Sequence, residues 1–211
     1  MIPTIFDVET APLPEKDLME IMPVFEPAGN LKDPEKIKAS IEAKRKSWLE
    51  DAALSPVTGR VLAVGVLQGT KPDIYGLANE SSLLVDWWAL ADVALSAGGQ
   101  LVGFNCNSFD LPFLIKRSWK LGVAVPKIVG GWSGRYWNWN EQIIDLRLIW
   151  QLGDKQAGGG LDEISKFFGE AGKTGLGKDF SGLWESDRPK AVAYLEQDLK
   201  LAARLYQAMM T

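Results

Sequence analysis

Apolar residues along this chain fall into short runs that switch between the two periods of regular secondary structure. Ile2–Phe6 reads as a first strand that ends in Asp7-Val-Glu9. Arg60–Leu67 (RVLAVGVL) is a nearly continuous apolar run, as in a strand covered on both faces. Asp73–Tyr75 predicts a short third strand, Gln100–Phe104 a fourth and Gln142–Asp145 a fifth. Helical spacing takes over between them. Leu84, Trp87, Trp88, Ala91 and Leu95 recur through Ser81–Ser96 on one helix face, which makes the tryptophan pair core. Further helices are predicted at Leu111–Leu121, Leu146–Leu152, Leu161–Phe168 and Pro189–Met209. The early chain breaks this rhythm. Residues 11–32 are Pro-rich and irregular, and from Asp33 or Pro34 to Ala53 the chain reads as a charged helix with Pro34 in its first turn. Strands first and strand–helix alternation afterwards predict one α/β domain over residues 1–211, with a mixed central sheet flanked by helices. Residues 11–55 form a polar, partly helical insertion in it.

Composition narrows the chemistry more than the fold. The 211 residues are 46% hydrophobic and 24% charged, which suits a globular domain. No run approaches the roughly 18 apolar residues of a membrane span. The chain enters its first strand without a signal-like segment, and its single cysteine, Cys106, suits a reducing compartment. The expectation is a cytoplasmic, monomeric protein without a membrane. A net charge of −4 argues against tight duplex binding but not against an acidic site that takes up divalent metal. The count of histidines is zero, which excludes Ser-His-Asp and Cys-His nucleophiles, His-based zinc sites and His general bases. Carboxylates, Tyr, Lys or backbone groups must carry any catalysis.

Three groups of carboxylates then stand out. Asp7 and Glu9 lie two apart, so one face of the first strand carries both, and hard cations take such oxygen ligands. A solvated strand end reads the same way. Asp110, in Asn105-Cys-Asn-Ser-Phe-Asp110, opens the helix after the QLVGF strand, where it could equally be a cap. Tyr194 and Asp198 lie one turn apart at the edge of the last helix's apolar stripe, which a surface pair would also do.

Together, FDVET at 6–10, NCNSFD at 105–110 and YLEQD at 194–198 resemble, in order and spacing, the three motifs of the DnaQ-like (DEDD) exonuclease superfamily. Tyr194 in the third motif is similar to the DEDDy branch, which includes the proofreading domains of family B polymerases and RNase D. Ile144-Asp145-Leu146 and Gly160–Gly169 extend the likeness along nearly the whole chain. The resemblance implies an RNase H-like fold and 3′→5′ release of 5′-mononucleotides from single-stranded nucleic acid, DNA in preference to RNA. It implies two divalent cations, Mg²⁺ with Mn²⁺ as a substitute. Asp7 would bridge both, Glu9 and Asp198 would complete the first, and Asp110 would hold the second. Tyr194 would orient the attacking water. Thr10, Asn105 and Phe109 would meet the terminal nucleotide, with Phe109 stacking or merely packing. An RNase D-like exoribonuclease and a non-catalytic RNase H-like nucleic-acid-binding module are the other readings.

Other features carry less. Gly172-Lys173-Thr174 lacks both the glycine, replaced by Phe167, and the strand that a phosphate-binding loop needs. Lys173 could still meet a substrate phosphate, as could Lys178, or both could be solvated. Lys36, Lys38, Lys44, Arg45 and Lys46 could track a backbone, but interleaved Glu35, Glu42 and Glu50 suit a solvated helix. Residues 130–140 hold Trp132, Arg135, Tyr136, Trp137 and Trp139, which suit base stacking, Trp137 in particular, or a small local core.

Overall fold

The structure is a computed structural model that describes residues 3–76, 79–131, 138–139, 141–154, 156–172 and 180–210. The elements run β1 (Pro3–Pro12), α1 (Glu15–Ile21), α2 (Pro34–Glu50), β2 (Gly59–Gln68), β3 (Lys71–Tyr75), α3 (Glu80–Ser96) and β4 (Gln100–Gly103). They continue through α4 (Asp110–Leu121), β5 (Gly130–Gly131), β6 (Asn138–Trp139), β7 (Ile143–Asp145), α5 (Leu146–Gln151), α6 (Leu161–Phe167), α7 (Phe180–Ser186) and α8 (Arg188–Met210). Single 3₁₀ turns lie at Ala52–Leu54 and Lys127–Val129.

Five strands form the central sheet in the order β3-β2-β1-β4-β7. β2 and β3 pair antiparallel, whereas β1, β4 and β7 run parallel, with Ile5 beside Val102 and Val102 beside Ile144. The sheet is therefore mixed and flanked by helices. Period-two alternation divides its side chains between two cores. Phe6, Val8 and Leu101 point into one, filled by Leu83, Leu84, Trp87, Trp88, Leu111 and Leu114. Ile5 and Val102 point into the other, filled by Leu146, Leu161, Ile164, Leu199, Ala202 and Leu205. Both tryptophans predicted as core are 3% exposed. Trp88 donates from Nε1 to Ser118 Oγ at 2.8 Å, so its polar atom is satisfied inside.

Helix α8 comes close to the sheet because position 65 lacks a side chain. A Cβ there would stand 2.9 Å from Leu195 Cγ and Leu199 Cδ1. At the far end, Tyr206 donates to Gln100 Oε1 at 2.7 Å, fixing the register of α8 over β4.

The chain divides into two compact units, Met1–Glu9 with Val61–Thr211, and Thr10–Arg60. The smaller unit is held by Leu13 N donating to Thr58 O at 2.9 Å, by Arg60 Nε donating to Pro12 O at 3.4 Å, and by Phe25 against the edge of Trp48. Asp33 caps α2 by accepting from Glu35 N at 2.9 Å, but α2 buries no side chain of its own.

The predicted strands and the long helices are found, each within a few residues. Two short helices were not legible. α1 lies in the segment read as irregular, where Pro12, Pro14 and Pro23 suggested turns and Leu18 alone is buried. α7 is one and a half turns long and owes its place to the burial of Phe180 and Trp184, a tertiary effect.

Candidate metal and nucleotide site

Strand β1 carries the first two acids on a chosen face. Ile5 points into the core beneath α8, so Asp7 and Glu9, two and four residues on, continue along the same side. α8 presents Asp198 to that side from a position one turn after Tyr194. One carboxylate oxygen from each of Asp7, Glu9 and Asp198 lies within 4.8 Å of the others. Glu9 is 8% exposed and Asp198 1%. Three ionised carboxylates at this spacing and burial repel one another, and a hard divalent cation is the chemical partner that oxygen donors of this kind suit.

Asp110 adds a fourth acid beside Asp7. α4 starts at this residue, and Phe109 at the cap position before it makes no side-chain cap bond. Asp110 Oδ1 accepts from Val8 N at 3.1 Å, a bond that spans 102 residues of sequence. Burial pushes the Asp110 carboxyl well above the ordinary carboxylate range, and the charge of Asp7 pushes it further in the same direction. Without a cation the site thus favours a proton on Asp110.

The turn between β4 and α4 is set by Asp145, which the sequence reading noted only within a matching segment. Its carboxylate accepts from Asn105 N and Asn107 N, both at 2.9 Å, and from Arg147 N at 3.0 Å. Asn105 sits at φ 62°, a left-handed conformation that asparagine tolerates better than most residues. Gly103 makes room for the turn, since a Cβ there would meet Cys106 Cβ at 2.6 Å. The Cys106 thiol is buried, and burial followed by the charges of Asp145 and Asp110 raises its pKa well above normal. It is therefore no nucleophile.

Asp7, Glu9, Asp110 and Tyr194 line one cleft of about 300 Å³ together with Asn105, Phe109 and Arg147. Tyr194 is 6% exposed, and its ring packs 5.9 Å from that of Phe180, which stacks on Trp184. Phe109 lines the cleft and also lies 5.6 Å from the ring of Phe113, so it both faces the cleft and packs. Thr10 belongs to the smaller unit and donates its hydroxyl to Ala53 O at 2.7 Å. Lys173, Lys178 and Trp137, with Trp132, Arg135 and Tyr136, lie outside the described residues. Arg147, absent from the sequence-derived candidates, enters the cleft because Asp145 fixes the first turn of α5.

Residues 60–207 match the model of a family described as predicted 3′–5′ exonucleases related to the exonuclease domain of PolB. The chain belongs to that family. Asp110, Tyr194 and Asp198 fall inside the matched stretch, while Asp7 and Glu9 precede it. A family B DNA polymerase from the hyperthermophilic archaeon Pyrobaculum calidifontis has a similar structure, with a TM-score of 0.63 and 17% identity. The likeness covers 100% of this chain and 24% of the polymerase, and it shows the fold to be that of a PolB-type, RNase H-like exonuclease domain. No curated protein matches the chain. Among the described residues, no helix of this exonuclease-family chain is long and apolar enough to cross a membrane.

Proposed function

We propose that this chain is a DEDDy-type 3′→5′ exonuclease that removes 5′-mononucleotides from the ends of single-stranded DNA. The observation that carries the reading is the meeting of Asp7, Glu9 and Asp198 within 4.8 Å, in a chain of an exonuclease-related family. Asp110 and Tyr194 line the same cleft as Asp7 and Glu9, which supports assigning all five residues to one site. A cleft of about 300 Å³ lies at the small end for ligand sites and suits one unpaired nucleotide.

The donor set fits two divalent cations, with Mg²⁺ the natural occupant and Mn²⁺ a substitute. Asp7, Glu9 and Asp198 would hold one, and Asp7 with Asp110 the other. Such a pair, when bound, stabilises the attacking and leaving oxygens of an in-line displacement at phosphorus. The chain's own groups do the rest. Tyr194 is held by Phe180 so that its hydroxyl can hydrogen-bond the attacking water and fix its approach. Water attacks the phosphorus of the last linkage and loses a proton to solvent, the bond from phosphorus to the 3′ oxygen of the shortened strand breaks, and that oxygen takes a proton from solvent. Asn105 and Phe109 hold the terminal nucleotide, with Thr10, Lys173 and Trp137 as further contacts. Residues 11–55 are then an insertion in a single exonuclease domain over residues 1–211. A monomer in a reducing cytoplasm completes the proposal.

End-labelled single-stranded DNA, duplex DNA and RNA, each digested with Mg²⁺, Mn²⁺ or EDTA, test the reading. Stepwise shortening of single-stranded DNA from its 3′ end, abolished by EDTA, is expected. Preference for RNA would move the assignment to an RNase D-like activity. Binding without cutting under every metal would leave a non-catalytic module.

A further inference from the structure

Among the described residues that line the cleft, Arg147 alone has a cationic side chain; the titratable groups around it there are Asp7, Glu9, Asp110 and Tyr194. Its place is set by backbone rather than by charge. Asp145, at the cap of α5, accepts from the N–H of Arg147 at 3.0 Å instead of from its guanidinium. The guanidinium donates from Nη1 to Asn105 Oδ1 at 3.2 Å, and that is its sole hydrogen bond among the described residues. Nε is enclosed and makes none. Among those residues Arg147 also forms no ion pair, although Arg117, Lys166 and Arg204 each have a carboxylate.

A half-buried guanidinium in an acidic cleft, steadied at one end and with donors to spare, suits an anionic acceptor that arrives from outside. The acids repel a carboxylate and a phosphodiester alike until cations neutralise them, and a phosphodiester is the anion that the exonuclease reading brings there. Guanidinium offers a planar fork matched to phosphate oxygens. We infer that Arg147 binds a backbone phosphate of the substrate strand, next to the scissile linkage, and so helps seat the 3′ end in the cleft. This role rests on the exonuclease reading above. The contact exists in the bound ground state as in the transition state, so its loss should appear in KM and leave kcat nearly untouched.

The test compares wild type, R147Q, R147K and N105A on single-stranded DNA with Mg²⁺. Kinetics are measured on all-phosphate strands and on strands with one neutral methylphosphonate at each of the last few linkages. For R147Q, KM should rise about tenfold with kcat within about threefold, and the salt dependence of KM should weaken by about one phosphate contact. One methylphosphonate position should raise KM for wild type and not for R147Q, since the charge pair is already gone. R147K should fall between the two because it keeps charge but not the fork. An unchanged KM in R147Q, or a methylphosphonate penalty as large in R147Q as in wild type, would overturn the inference. So would N105A reproducing the whole R147Q effect while Arg147 keeps no phosphate-specific penalty, since the arginine would then only anchor Asn105. If R147Q does not fold, R147K carries the comparison, and a KM equal to wild type with no change in salt dependence would count against the contact. Failure of wild type to digest any strand would instead sink the exonuclease reading itself.

Discussion

Asp110 shows how one residue's surroundings decide its state. Its carboxyl is buried and faces Asp7, so its pKa in the folded chain lies above that of the unfolded chain. Such a group contributes most to stability below about pH 3.9, and the contribution is lost as pH rises through the raised value. Metal-free protein should therefore melt at falling temperature as pH is raised from about 4 until Asp110 has ionised. Asp110→Asn should flatten that decline and melt higher than wild type near neutrality without metal; a scan in EDTA compares the two. Mg²⁺ should restore wild type and do little for the variant. Tyr194 makes a second case at this scale. Tyr194→Phe keeps the ring against Phe180 and removes only the hydroxyl. The turnover rate should fall by about 10²-fold, as for the loss of one positioned hydrogen-bonding group, with little change in melting temperature. An undiminished rate would remove Tyr194 from the water-orienting role.

At the scale of elements, the site depends on where β1, the β4–α4 turn and α8 meet. Gly65→Ala forces a methyl against Leu195 and Leu199, the residues that flank Asp198 on α8. The expected cost is about 1–3 kcal/mol by overpacking, read from denaturant unfolding, with a larger KM for metal as Asp198 shifts. Asp145→Ala leaves the N–H groups of Asn105, Asn107 and Arg147 without their acceptor. It should cost about 3 kcal/mol or more, since hydrogen bonds to a charged group are worth about 1.5–3 each. Asp145→Asn should recover part of that loss.

These same elements mark what could be read from the sequence. Period two placed Asp7 and Glu9 on one face, and spacing of four placed Tyr194 beside Asp198, so local geometry was legible. Which face would be covered was not. The edge of the α8 stripe, where Tyr194 and Asp198 were expected, is buried, because Phe180 and α7 lie over it. Nothing local to Asp110 announced its bond to Val8, 102 residues away. Asp145 and Arg147 gave a weak signal for the same reason. Their partners lie in the Asn105–Asn107 turn, about 40 residues earlier in the chain.

For the whole molecule, the lack of histidine leaves carboxylates, Tyr, Lys or backbone groups to carry any catalysis. The central claim is that the cluster of Asp7, Glu9 and Asp198 is the catalytic centre of a 3′→5′ exonuclease. The most direct measurement is the single-turnover rate of mononucleotide release from a labelled single-stranded DNA in Mg²⁺, for wild type and Asp7→Ala. Wild type should release 5′-mononucleotides from the 3′ end. Asp7→Ala should be slower by at least about 10²–10³-fold. In EDTA the variant should melt no lower than wild type, since removing one carboxylate relieves repulsion. Release by Asp7→Ala at near the wild-type rate would contradict the account.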